Sequence, residues 1–318
     1  MKTNVFSLRN LAGLALCACT ALSAVSVGAT EGGGGTYPNG AEGIMAGALP
    51  PPGLYYLNYL THYSADRLND KNGNRVQFAP GINADFHVNV SANVSRFVYM
   101  TNVEIAGGSL GFYALAPLVH LSGSLNAVPG ITSTNSRTKS GLGDISVASL
   151  VAWHGKNWHA ASGVEITMPT GQYDKTQAFN IGRNYWTIQP IFAGTVLTDN
   201  GLELSGKFMY DFNTENTDTK YTSGQEFHFD YAAAYHMGPW TFGGQGYFYK
   251  QVSNDHGTMA NGVRAIDYDG NKGQVFAAGP AIKYDYKNMS LEVKYQKEVL
   301  VENKTEGDKY WLKLIWAF

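Results

Sequence analysis

The sequence predicts an all-β fold, a transmembrane antiparallel β-barrel of about twelve strands, and three observations carry that expectation. Apolar and polar side chains alternate along segments of about 10–12 residues, long enough to cross a bilayer at a tilt. The connections between these segments alternate long and short, as barrels with short turns on one side and long loops on the other require. The chain ends on KYWLKLIWAF, where Tyr310, Leu312, Leu314, Trp316 and Phe318 occupy every second position.

Composition agrees with a chain that is apolar at alternate positions only. Among 318 residues there are 37 Gly, 20 Tyr and 15 Phe, while charged residues make up 15%, against about 25% in an average protein.

Residues 1–29 read as a secretory signal peptide. Lys2 and Arg9 are their only charges, an apolar stretch follows, and small residues precede a cut after Ala29. Cys17 and Cys19 both lie there, and Leu16 fits a lipoprotein signal poorly. The rest of the chain has no cysteine, so neither disulfide nor thiol chemistry is expected. No run of apolar residues is long enough for a transmembrane helix. Without Lys2 and Arg9, the remaining basic residues fall short of the 25 acidic ones. That balance gives no reason to expect a nucleic-acid partner.

Residues 30–53, TEGGGGTYPNGAEGIMAGALPPPG, have no period and form an N-terminal periplasmic or plug-like segment. The barrel is expected over 54–318, with strands near 54–63, 82–100, 110–121, 142–153, 158–168, 184–197, 202–211, 225–236, 240–251, 274–286, 289–299 and 309–318. Alternation is plainest in three of them. Ala84, Phe86, Val88, Val90, Ala92 and Val94 alternate with polar residues. Leu202, Leu204, Phe208 and Tyr210 alternate with Glu203, Lys207 and Asp211. Phe227, Phe229, Tyr231 and Tyr235 alternate with Glu226, His228, Asp230 and His236. Successive strand side chains point to opposite faces, so one face is apolar and the other charged. The short connections HGKN, TDNG, MGP and KN all fall on one side. The long ones, 64–81, 122–141, 169–183, 212–224, 252–273 and 300–308, fall on the other. Closure of the sheet removes edges that lipid could not satisfy.

The polar face is expected to line a lumen. Its candidate residues are Glu203, Lys207, Glu226, His228 and Asp230, with Lys283, Asp285, Glu292 and Lys294 on later strands. Opposite charges on adjacent strands could form a polar constriction or simply pair. By strand rise, Glu226 and Asp230 are too far apart to share a metal, and no cofactor is implied. Phe112, Leu118, Tyr247 and Tyr249 are expected to add an aromatic and apolar patch to the lumen, where Ile44 and Met45 of the N-terminal segment could bury. DYDGNKG (267–273) carries Asp267 and Asp269 near Gly270 but lacks the acid that would complete a calcium loop, and reads as a turn.

The ordered set LPPPGLYYLNYLTHY (49–63), GLGDISVASLVAWH (141–154), MPTGQYD (168–174), NIGRNYWTIQP (180–190), SGQEFHFDY (223–231) and GYFYKQVSND (246–255) resembles the outer-membrane transporter family named after the meta pathway of phenol degradation. The resemblance covers residues 36–318. It implies a bacterial outer-membrane channel for passive uptake of small hydrophobic or aromatic organic solutes, with no family ligand residues to carry over. Outer-membrane lipids would be neighbours of such a barrel. The terminal Phe318 with its alternating aromatics resembles the signal read by the barrel-assembly machinery. Two other classes remain open. Long loops suit a surface-binding, adhesin-like barrel. An outer-membrane enzyme would need a nucleophile and a base within reach, and alternation offers a lipid-facing His beside a Ser only near His120 and Ser122.

Overall fold

The computed structural model describes residues 33–79, 81–126, 137–177, 179–258, 264–265 and 272–318. The expected leader and the Asp267–Gly270 turn lie outside them. The wall is a closed antiparallel barrel of twelve strands. We number them β1 Gly53–Leu68, β2 Asp85–Ile105, β3 Gly108–Asn126, β4 Arg137–Leu142 continued as Ile145–His154, β5 Trp158–Met168 and β6 Thr187–Leu197. The second half comprises β7 Leu202–Asn213, β8 Glu226–Met237, β9 Trp240–Gln251, β10 Gln274–Tyr286, β11 Met289–Glu302 and β12 Thr305–Ala317. Each strand pairs with its sequence neighbours. The ring closes where β12 runs against β1, from Tyr55 opposite Ala317 to Leu68 opposite Thr305.

At one end the hairpins are tight. Ala106 and Gly107 turn β2 into β3 with both residues at positive φ, 50° and 76°. That geometry matches strand twist, and Gly adopts it without strain. At the other end short extra strands link the longer loops: Gln77–Ala79 pairs with Ile82–Asn83, and Tyr221–Thr222 with His256–Thr258. The expected long connection over 300–308 is not there. β11 and β12 run on and meet at a two-residue turn, Asn303–Lys304. The polar run VENKTEGDKY hid strand continuation, because outward positions beyond the membrane need not be apolar.

The N-terminal segment enters the barrel, and its two ends lie at opposite mouths. Gly33 O accepts from Lys304 Nζ at 2.9 Å, and Gly35 O from Arg183 Nε at 3.3 Å. Both donors belong to the long-loop end. Gly47 N donates to Thr195 Oγ1 at 3.0 Å near the end of β6, and Gly53 opens β1 at the tight-turn end. A purely periplasmic segment would keep both its ends on the tight-turn side. The segment instead runs the length of the lumen, carried past the wall by polar groups that no periodicity reveals.

Candidate functional site

The lumen is the site, and its wall is built by strand alternation. Glu203, Lys207, Glu226, His228, Asp230, Tyr247, Tyr249, Glu292 and Lys294 are all buried on the inner face. Lys283 and Asp285 sit at the tight-turn rim, where Lys283 Nζ lies 2.7 Å from Asp285 Oδ1. Phe112 and Leu118 correct the reading. They are 43% and 60% exposed and project outward. On β3 it is Tyr113, Leu115, Pro117 and Val119 that face inward. Alternation defines two faces of a strand but not which one looks at lipid.

β2 makes the same point from the other side. Its apolar set faces in, with Phe86, Val88 and Val94 buried, while His87, Asn89 and Asn93 are exposed outside. Ile44 therefore packs on Ala232, Ala234 and Ala281 rather than beside Phe112 and Leu118.

Most inward charge is engaged by the N-terminal segment. Asp230 accepts from Tyr37 Oη at 2.8 Å, Gly40 N at 2.7 Å and Glu42 N at 3.0 Å. Glu203 accepts from Met45 N at 2.6 Å. Lys294 donates to Ala41 O at 2.6 Å, Lys309 to Asn39 O at 2.9 Å and Gln296 to Gly40 O at 3.2 Å. These wall groups do for the irregular backbone what ladder partners do for a strand: each buried N–H or C=O that they meet is satisfied.

Glu42 sits at the centre of the lumen. Its carboxylate meets Arg96 Nη1 at 2.7 Å, Lys313 Nζ at 2.5 Å and the Tyr59 hydroxyl at 2.8 Å. Two cations and a phenol thus surround one buried carboxylate. Packing is close where the segment passes β6. A Cβ on Gly47 would come within 2.6 Å of the Gly194 backbone, so only glycine fits there.

A cavity of about 290 Å³ remains beside the segment. One side is the apolar inner face of β2 and β3: Val90, Ala92, Val94, Leu115, Pro117 and Val119. Tyr37 and Glu42 of the segment also line it, with Arg96 two residues beyond Val94 on β2, Glu165 on β5 and Lys207 on β7. Arg96 stacks over Tyr113, 3.7 Å from the ring centre, with its Nε unpaired. Lys207 Nζ makes one long bond, 3.5 Å to Tyr37 Oη, and lies 4.5 Å over that ring. The cavity thus sets the apolar inner face of β2 and β3 against a few polar and charged groups, of which Lys207 is only lightly engaged.

The outer face carries two His–Ser contacts that reading along single strands did not find. His62 Nδ1 lies 2.9 Å from Ser91 Oγ, and His120 Nδ1 lies 2.6 Å from Ser140 Oγ. Each pair is cross-strand, and only the register reveals it. Among the described residues neither imidazole has a second partner to orient it as a catalytic base requires.

No curated protein matches the chain. Among solved structures, the COG4313 outer membrane channel from Pseudomonas putida F1 aligns with a TM-score of 0.72 and 16% identity, covering 86% of this chain and 98% of that one. The transport unit of the autotransporter AIDA-I from Escherichia coli aligns with a TM-score of 0.47 and 10% identity, covering 86% and 96%. The CymD monoaromatic hydrocarbon channel gives 0.42 and 8%, covering 85% and 89%. The family model described as "Putative MetA-pathway of phenol degradation" matches residues 65–314. That span runs from β1 into β12, and the chain belongs to this family.

Proposed function

We propose that the protein is a bacterial outer-membrane channel for passive uptake of small hydrophobic or aromatic organic solutes, which move between the N-terminal segment and the β2–β3 wall. The observation that carries this reading is the two-sided cavity. An apolar inner wall is unusual for a water-filled pore, whose interior is polar, and a cavity of 290 Å³ suits one small ring rather than a sugar chain. Arg96 and Lys207 would meet a polar substituent while the ring lies on Val94, Leu115 and Pro117. The long loops would face outside the cell and the tight turns the periplasm. Lys207 and Asp230 have their place in this account as holders of the segment that narrows the pore.

The test is reconstitution in lipid bilayers and vesicles. Uptake of a phenolic solute should exceed that of a sugar of similar size by at least tenfold, with small single-channel currents. Equal or preferred sugar uptake would overturn the solute class. Absence of both current and uptake would point to a surface-binding barrel, and release of fatty acid from the same vesicles to an enzyme.

A further inference from the structure

The outer wall of β9–β12 and β1–β4 carries two neighbouring cross-strand rows of opposite character. The first row, in hydrogen-bonded register, is Tyr295, Tyr310, His62, Ser91, His120 and Ser140. The second lies two residues closer to the tight-turn end and holds Ile282, Val293, Leu312, Leu60 and Leu118, interrupted only by Asn93 between the last two. Both rows line one shallow groove of about 1110 Å³ on the outside of the barrel. Elsewhere the outer face is what lipid expects: β7 shows Leu204 and Phe208, and β8 shows Phe227, Phe229 and Tyr231.

Polar side chains facing hydrocarbon are costly and need partners. Those of the first row are partly paired among themselves, through His62–Ser91 and His120–Ser140. Below them, Asn58 Nδ2 donates to Asn93 Oδ1 at 2.6 Å and to the Tyr56 hydroxyl at 3.1 Å. Tyr295 Oη donates to Asp308 Oδ1 at 2.5 Å, and capacity is left over on the second nitrogen of each imidazole, the Tyr310 and serine hydroxyls and the Asn93 amide. No lysine or arginine lines the first row, so the groove is not built for a phosphate alone. Neutral donors and acceptors flanked by two tyrosines suit sugar hydroxyls, and the apolar row beneath suits acyl chains.

From these two rows we infer that this groove is a binding site for an outer-leaflet glycolipid, with sugar hydroxyls on the His62–Ser140 row and acyl chain along the Leu60–Leu312 row. A concave surface favours such an amphiphile over a second copy of the barrel, because two concave faces cannot mate. The inference goes beyond solute passage and does not depend on it.

The experiment uses full-length protein taken from outer membranes in mild detergent. Native mass spectrometry should show retained lipopolysaccharide. A His62→Leu/His120→Leu double variant, which keeps the wall apolar and lipid-compatible, should lose that occupancy at least tenfold, while Phe229→Ala on β8, outside both rows, should keep it. A photo-crosslinking phenylalanine analogue at Asn93 provides a second readout that needs no change at the histidines. It should yield a lipopolysaccharide adduct in cells. Equal lipid retention in wild type and double variant, an adduct of phosphatidylethanolamine only, or a self-crosslinked dimer would each overturn the inference.

Discussion

Glu42 is the residue on which the interior turns. It sits between Arg96 and Lys313, which come from β2 and β12 on either side of β1. Replacing it with Gln leaves two cations without their counter-charge. We expect Glu42→Gln to lower barrel stability on the order of 3 kcal/mol, read as a fall in the temperature of the heat-modifiability shift. It should also raise conductance, because the segment loses its central tie.

At the scale of elements, the N-terminal segment and β12 make separable claims. We expect deletion of residues 33–49 to leave a folded barrel with raised single-channel conductance. Asp230 and Lys294 would lose their bonds to the segment while Glu203 keeps His236 and Ser205, and water would enter the vacated lumen and solvate them, so the wall need not collapse. Unchanged conductance with an intact barrel would make the segment a mere tether. On β12, Tyr310, Leu312, Trp316 and Phe318 are exposed on the outer face, and Leu314 shares it half-buried. A lipid-facing charge costs from about 1 to 4 kcal/mol depending on depth. Trp316→Asp or loss of Phe318 should thus cut the yield of heat-modifiable barrel in the outer membrane.

Much of this element inventory was legible in the sequence, and the exceptions have physical causes. Strand number followed from alternation and loop parity, because both are imposed by a closed antiparallel ring. The sense of the faces on β2 and β3 was not legible. A strand with an apolar chamber inside and a polar patch outside alternates just as well as one built the usual way round. Phe112 and Leu118 were misplaced for that reason. Asp230 and Lys294 announced themselves as inward charges, but what they bind is largely a backbone without periodicity, and side chains that hold a backbone leave no pattern of their own. Arg96 was missed because it is the lone cation in the middle of the long apolar β2.

For the whole molecule, the orientation rests on which mouth carries the loops. A protease site inserted after the exposed Asp218 should be cut on intact cells, while one at Gly155 should be protected. The reverse result would invert the molecule in the membrane and, with it, the leaflet assigned to the outer groove.

The path of the N-terminal segment also constrains the order in which the molecule can be made. A ring that closes by pairing its first strand with its last, around a thread continuous with that first strand, is topologically a bead on its own string. Either the string lies in place before the final seam zips, or its free end must later be drawn through a finished aperture. Glu42 and Lys313 are 271 residues apart, so this tie needs the strand made last of the twelve, and contacts so distant in sequence form slowly. Refolding from urea into detergent micelles should therefore show a late phase, reported by the emission of buried Trp311, that is missing when residues 33–49 are removed. If both chains refold with the same single rate, threading is not what limits closure.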